Sequence, residues 1–178
     1  MKNTIKLTKF IAVTGMLSAI SVVLYTYVEF PILPAYPFLQ YDFSDVVAII
    51  GGIFVTPLVG ILIQLLKNII HFIIKGSTGG IGELANLLTG LLFIVPIILI
   101  FKKFKMLSFV VGIICFFIGA LFLNYFVFLP LYGVPADARI EMLKYGIAPF
   151  NAIKSVITSV STILIWRLLL PFKNRMAL

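Results

Sequence analysis

The amino-acid sequence predicts an all-α integral membrane protein with six transmembrane helices and both termini in the cytoplasm. Of its 178 residues, 62% are hydrophobic and only 11% are charged, so the chain carries more apolar surface than a soluble core of this size can bury. The apolar residues form continuous runs of about 20, which is the length of a membrane-spanning helix and not the alternating pattern of a transmembrane β-strand. We therefore treat residues 1–178 as a single transmembrane domain.

Charge and residue types exclude several functions. The net charge of +8 does not indicate a nucleic-acid partner, because the basic residues lie at segment ends and form no stripe. The single cysteine, Cys115, lies in an apolar run, so we predict neither a disulfide nor a metal site, and no cofactor. The sequence has one histidine and shows no serine with a convincing base and no paired acidic motif in a span. We therefore predict that the chain is not an enzyme.

The first predicted span covers residues 9–28, a run too long for a cleaved secretory signal. One face of this helix carries Ala12, Gly15 and Ala19. The four-residue step from Gly15 to Ala19 is a small-xxx-small pattern that allows another helix to approach closely. Such patterns are common in membrane helices, so the pattern alone is weak evidence for a partner protein.

Residues 29–45 are predicted to form a loop, because proline recurs every third residue from Pro31 to Pro37 and blocks a helix. Aromatic residues are interleaved with the prolines: Tyr36, Phe38, Tyr41 and Phe43. Two interpretations stay open at this point. The loop is either an aromatic belt at the membrane interface or a lid over a binding site.

The next apolar stretch divides into a short second span, residues 45–55, and a third span, residues 57–74. We expect Ser44 or Asp45 to cap the second helix, since both side chains accept hydrogen bonds from a helix N-terminus. Pro57 supports a new helix start, because proline is well tolerated in the first turn.

The third span carries a polar stripe of Gln64, Lys67 and His71, with Asn68 beside it. His71 has no second histidine or cysteine with which to hold a metal, so we expect it to hydrogen-bond a neighbour. A glycine-rich segment, residues 76–82, follows. It lacks the lysine and serine or threonine of a phosphate-binding loop, so a tight turn is favoured.

The fourth span, residues 83–101, begins with Glu83 and Asn86 on one helix face. The fifth span, residues 107–131, contains one strongly polar residue, Asn124. A polar and charged connection, residues 132–144, leads to the last span.

The sixth span ends at Pro171 and places Asn151 and Lys154 on one face near its start. A lysine inside a span is unfavourable unless it faces a partner or a water-filled cavity, so Lys154 marks a candidate functional site. The alternative is that Lys154 snorkels to the lipid headgroups. Its position several residues inside the helix, on the face of Asn151, favours the functional interpretation.

The charge distribution predicts the orientation. With cytoplasmic termini, most of the 14 basic residues lie at inner ends, including those at the two chain termini, and only Lys75, Arg139 and Lys144 lie outside. All six acidic residues then fall on the outer side. The polar residues of the spans come to one level beneath the aromatic loop. Such a pocket suits a neutral or weakly charged solute with a flat ring and several hydroxyl or carbonyl groups.

Five segments carry a family resemblance. They read Asp42-Phe-Ser-Asp-Val, Leu66-Lys-Asn-Ile-Ile-His, Gly82-Glu-Leu-Ala-Asn-Leu-Leu-Thr-Gly, Leu123-Asn-Tyr-Phe-Val-Phe-Leu-Pro-Leu-Tyr and Ile147-Ala-Pro-Phe-Asn-Ala-Ile-Lys. In this order they resemble the motifs of the riboflavin-specific substrate-binding (S) subunits of energy-coupling factor (ECF) transporters, over residues 17–166. Val47, where many relatives have proline, and Ser155, where glycine is frequent, depart from the pattern outside the predicted polar pocket.

The resemblance implies a subunit of the bacterial cytoplasmic membrane that captures riboflavin from outside, with another vitamin or flavin mononucleotide as the alternative substrate. It implies that uptake is driven by a transmembrane coupling subunit and two cytoplasmic ATPase subunits. The ribityl-binding positions of the family fall on Asn124, Asn151 and Lys154. The expected ring-enclosing residues lie in the loop and at the start of the fourth helix, and with Lys67 they complete the predicted substrate site: Phe38, Gln40, Tyr41, Gly82 and Asn86. Gly15 and Ala19 are expected to dock the coupling subunit.

Overall fold

The computed structural model describes residues 2–76 and 78–172, so Lys173 and Arg175, expected at the cytoplasmic end, lie outside the described residues. The helices are α1 (Lys2–Tyr27), α2 (Ser44–Phe54), α3 (Pro57–Lys75), α4 (Ile81–Phe101), α5 (Lys105–Leu123), α6 (Leu129–Leu131), α7 (Ala136–Met142) and α8 (Ala148–Leu169). Two π-helical segments, Asn124–Phe128 and Leu143–Ile147, join α5 to α6 and α7 to α8, and a 3-10 turn, Leu170–Phe172, follows α8. Two short antiparallel strands, β1 (Phe30–Pro31) and β2 (Gln40–Tyr41), lie between α1 and α2.

Five stretches of the described chain are long and apolar enough to cross a membrane: Lys6–Tyr27, Pro57–Lys75, Ile81–Phe101, Lys105–Leu131 and Ala136–Phe172. The sixth apolar helix, α2, has 11 residues and is about 16 Å long at 1.5 Å per residue, roughly half the hydrocarbon thickness. The all-α membrane fold is thus confirmed, with α2 as its short member. The side of the membrane on which the termini lie stays a prediction from charge.

The start of α2 corrects the predicted cap. Ser44 and Asp45 already lie inside the helix, and the residue at the N-cap, Phe43, makes no side-chain cap bond. Asp42 takes the capping role instead, because its Oδ1 accepts a hydrogen bond from the Ser44 backbone N–H at 2.8 Å. The carboxylate of Asp45 is therefore free to turn into the bundle. At α3 the predicted start is confirmed, with Thr56 as cap and Pro57 in the first turn.

The connection before the last span differs from its prediction. Its polar composition indicated an irregular link over residues 132–144, whereas α7 forms there and continues through the second π-helical segment into α8. Pro135 sits at the N-cap of α7 and Asp137 lies in its first turn, where a carboxylate is favourable beside the helix dipole. Residues 136–169 therefore form one continuous helical arm.

The apolar core packs one end of the helix bundle, and the other end contains a cavity. α4 packs along α5, and α3 packs against α1, α2 and α4. The buried core residues of α4 run from Phe93 to Phe101, and Phe109 and Phe116 of α5 pack against them. The first turns of α4, the last turns of α5 and the start of α8 are left to surround a cavity at the opposite end.

Candidate functional site

A cavity of about 540 Å³ lies at the end of the bundle beneath the loop that joins α1 to α2. Its size falls within the range of roughly 300–1,000 Å³ that is usual for small-molecule sites. Its apolar walls come from the loop, α5, α6, α7 and α8, with Phe38, Leu39, Phe116, Leu129, Met142, Ile147 and Phe150 among the lining residues. Its polar lining includes Glu29, Gln40, His71, Lys75, Thr78, Glu83, Asn86, Thr89, Asn124, Tyr132, Asn151 and Lys154.

Most of the predicted substrate-binding residues lie on the wall of this cavity: Phe38, Gln40, Gly82, Asn86, Asn124, Asn151 and Lys154. Because Phe38 and Gln40 belong to the proline-rich loop, the structure favours the lid interpretation of that loop over a simple interfacial belt. Tyr41 and Lys67 do not line the cavity, so their predicted contact with a substrate is not supported.

Tyr41 and Lys67 are instead buried behind the cavity wall, and neither has any measurable exposure. The ring of Tyr41 packs against Phe30 and Phe43, and its hydroxyl lies 3.4 Å from Thr158 Oγ1, which ties the loop to α8. Burial raises the pKa of the Tyr41 phenol above its ordinary value, so the hydroxyl stays protonated. The ammonium of Lys67 binds the Ser44 hydroxyl and the Asp45 carboxylate, each at 2.5 Å.

The polar lining of the cavity includes two amides and an amine that the sequence singled out. The first π-helical segment begins at Asn124, whose Nδ2 donates to the Ala120 carbonyl oxygen at 2.8 Å and thereby leaves Oδ1 free to accept. Asn151 and Lys154 lie one helical turn apart on α8, and both side chains are buried in the chain alone. Together these groups supply donors and acceptors to the cavity wall.

Lys154 does not snorkel, because its side chain is only 8% exposed and its Nζ lies 3.5 Å from Asp45 Oδ2. This partner was not predicted, because the position of Asp45 in the sequence indicated a helix cap. A usable signal was present, because two lysines inside spans need a buried carboxylate nearby.

Another polar group of the cavity surrounds His71. Its Nδ1 lies 2.9 Å from Glu83 Oε1, and its ring stacks on Tyr25 at a centroid distance of 3.9 Å, so the predicted hydrogen bond to a neighbour is confirmed. Thr78 Oγ1 contacts the other oxygen of Glu83 at 3.5 Å and accepts from the Gly82 N–H at 3.0 Å, as expected of a tight glycine-rich turn. Among the described residues, no cluster of histidine, cysteine, aspartate or glutamate is suited to a metal ion.

Another ion pair joins α3 to the start of the loop. Lys75, at the end of α3, contacts Glu29 at 2.8 Å and the Thr26 carbonyl oxygen at 2.5 Å. Sequence reasoning missed the roles of Glu29, Lys75 and Tyr132 in the cavity wall. Each of these three residues lies at the outer end of a predicted span, and this shared position could have indicated their roles.

The predicted docking face on α1 is uncovered in the chain alone. Gly15 and Ala19 are exposed, and a β-carbon added at Gly15 meets no atom within 4 Å. Large apolar side chains flank them and are also exposed: Ile11, Met16, Ile20 and Val23. This face of α1 is therefore an exposed apolar surface in which Gly15, without a side chain, leaves the helix backbone accessible.

Comparison with known proteins gives consistent matches over nearly the whole chain. The family model of the ECF transporter, substrate-specific component, matches residues 9–166. The chain is 37% identical to the riboflavin transporter FmnP of Bacillus subtilis (strain 168), with 92% of this chain and 93% of that protein covered. It is 36% identical to the riboflavin transporter RibU of Staphylococcus aureus (strain TCH60), with 90% of each covered. A solved S component of a bacterial ECF transporter superposes with a TM-score of 0.80 at 34% identity, covering 93% of this chain and 97% of that one.

Proposed function

The chain belongs to the family of substrate-specific components of ECF transporters, and we propose that it binds riboflavin in the cavity beneath the loop for uptake into the cell. Membership of this family makes the chain a multi-pass protein of the bacterial cell membrane and not an enzyme, as the composition predicted. Riboflavin is the transported substrate in this proposal and not a cofactor.

The observation that carries the proposal is that one cavity of about 540 Å³ is lined both by apolar and aromatic side chains and by amides and an amine. Riboflavin has a flat tricyclic ring and a ribityl chain with several hydroxyl groups. The hydroxyls match Asn124, Asn151 and Lys154, because the amides donate and accept while the ammonium donates only. The ring matches the space between the loop residues Phe38 and Gln40 and the start of α4 at Gly82 and Asn86.

The hydrogen bonds that hold Asn86 at the start of α4 also support this placement of the ring. Asn86 is held by Gln64, whose Nε2 donates to the Asn86 carbonyl oxygen at 3.1 Å and to its Oδ1 at 3.4 Å. The Asn86 amide nitrogen is then left for a ligand. A flat ring with carbonyl groups on one edge is a suitable acceptor for such a donor.

We expect the purified chain to bind riboflavin at one site per chain and to quench its fluorescence, because aromatic side chains enclose the ring. A fluorescence titration in detergent or lipid measures both quantities. Thiamine and biotin are the controls and should not restore the fluorescence. Displacement of the flavin by either vitamin, or absence of flavin binding, would contradict the proposed substrate.

As an ECF component, the chain works together with an ECF module. We propose that this module contains a transmembrane coupling subunit and two cytoplasmic ATPase subunits, and that the coupling subunit docks on the α1 face around Gly15 and Ala19. The exposed small residues support this proposal, because they let a partner helix approach the α1 backbone closely. The large apolar side chains exposed elsewhere on the helices, such as Ile73 and Leu168, face lipid.

A further inference from the structure

We propose that Asp45 is a positioning residue for substrate binding, which balances the charge of Lys154 and leaves the hydrogens of that ammonium free for the ligand. The inference rests on the proposed riboflavin site. Asp45 itself does not line the cavity.

The carboxylate of Asp45 lies between two lysines from different helices. Its Oδ1 is 2.5 Å from Nζ of Lys67 on α3, and its Oδ2 is 3.5 Å from Nζ of Lys154 on α8. The Asp45 and Lys67 side chains are 1% and 0% exposed, respectively. Only Lys154 also lines the cavity, so Asp45 connects a buried ion pair to the substrate site.

The two contacts differ in kind. Lys67 makes two short contacts, because its ammonium binds both Asp45 Oδ1 and the Ser44 hydroxyl at 2.5 Å. The 3.5 Å between Lys154 Nζ and Asp45 Oδ2 is longer than the roughly 2.7–2.9 Å of a charge-assisted hydrogen bond. Asp45 Oδ2 has no hydrogen-bond partner within the described part of the chain. The attraction between Asp45 and Lys154 is therefore Coulombic, and it leaves the N–H groups of Lys154 available to hydroxyl oxygens of a ligand.

Lys67 accounts for the separation between Asp45 and Lys154. A carboxylate paired with a single ammonium moves close to it, whereas Asp45 is drawn towards Lys67, whose ammonium is also held by the Ser44 hydroxyl. Asp42 adds a second buried carboxylate beside this group, so the two aspartates and two lysines are electrically balanced. A balanced set of charges is what allows an ammonium to remain ionised in a membrane interior.

The test compares two ligands. Riboflavin contacts Lys154 through its ribityl chain, whereas lumiflavin has the same ring with a methyl group in place of that chain. We expect Asp45→Asn to weaken riboflavin binding about tenfold or more and to change lumiflavin binding by less than about twofold, since only the ribityl contact is lost. A residue that merely stabilises the fold would change the affinity for both ligands alike.

A double-mutant cycle completes this test. Because Asp45 acts through Lys154, Asp45→Asn combined with Lys154→Met should bind riboflavin about as weakly as Lys154→Met alone. Asp137→Asn is the matched control, because Asp137 is an exposed carboxylate outside the cavity wall. Independent, multiplicative effects in the double variant, or an unchanged riboflavin affinity in Asp45→Asn, would overturn the inference. Failure of the unaltered protein to bind riboflavin would instead refute the proposed function.

Lys67→Met provides a second test that keeps the Asp45 carboxylate in place. Without Lys67, Asp45 is expected to close on Lys154 and to withdraw its hydrogens from the ligand. Riboflavin affinity should then fall by about three- to tenfold, although Lys67 does not touch the cavity, and lumiflavin affinity should not change. This variant decides the question if Asp45→Asn does not fold, and equal riboflavin affinities of Lys67→Met and the unaltered protein would overturn the inference.

Discussion

Replacing Lys154 by methionine is expected to weaken riboflavin binding about ten- to a hundredfold. Methionine retains the apolar bulk of the lysine stem but removes a charged donor, and a hydrogen bond to a charged group contributes about 1.5–3 kcal/mol. Each 1.4 kcal/mol corresponds to about a factor of ten in the dissociation constant. Equilibrium titration of flavin fluorescence measures the change directly.

Lys144→Met is the matched control for this prediction. Lys144 lies on the same helical arm, is exposed and is absent from the cavity wall, so its replacement should leave the affinity unchanged. Lys173, at the expected cytoplasmic end, lies outside the described residues and is therefore a less suitable control. Equal losses at positions 144 and 154 would mean that Lys154 contributes only general charge, and the ribityl site would have to lie elsewhere.

Replacing both Gly15 and Ala19 by leucine should abolish riboflavin uptake while leaving riboflavin binding intact. The two side chains would stand out from an uncovered face of α1 and hold a partner helix away from its backbone. Because neither residue lines the cavity, the purified variant should bind the vitamin with unaltered affinity. The measurements are uptake of labelled riboflavin and co-purification with the ECF module.

The exposed residues Met16 and Ile20 offer a matched control on the same helix. Met16→Leu together with Ile20→Leu changes the shape of two side chains without adding bulk, so uptake should persist. Wild-type uptake by the Gly15→Leu, Ala19→Leu variant would refute docking at this face. Loss of binding as well as uptake would show that the substitutions damage the S subunit itself.

The positions of the helices, and the depth of the site along them, could be predicted from the sequence of each segment alone. Long apolar runs located the spans, and the spacing of Asn151 and Lys154 along one helix placed them on a common face without any knowledge of other helices. His71 was expected to find a polar neighbour, although the sequence did not show that this neighbour is Glu83. The cavity-lining positions of Asn86 and Asn124 followed from their depth in the spans.

What could not be predicted depends on contacts between helices. The position of Asp45, next to a loop, favours a capping role, and only the packing of α2 against α3 and α8 turns its carboxylate towards Lys67 and Lys154. Lys67 was assigned to the substrate site for the same reason, since it shares a face of α3 with His71, which lines the cavity, and the sequence does not show that Asp45 binds its ammonium behind the cavity wall. Tyr41 directly follows three residues that do line the cavity, Phe38, Leu39 and Gln40, so a loop of unknown path gave no basis for excluding it.

An experimental structure of the chain with riboflavin bound tests the central claim most directly. We expect one flavin in the cavity beneath the loop, with ribityl oxygens within about 3.2 Å of the side-chain nitrogens or oxygens of Asn124, Asn151 and Lys154. The ring should lie between Phe38 and the start of α4. A flavin bound at another surface, or a ribityl chain directed away from Lys154, would contradict the account.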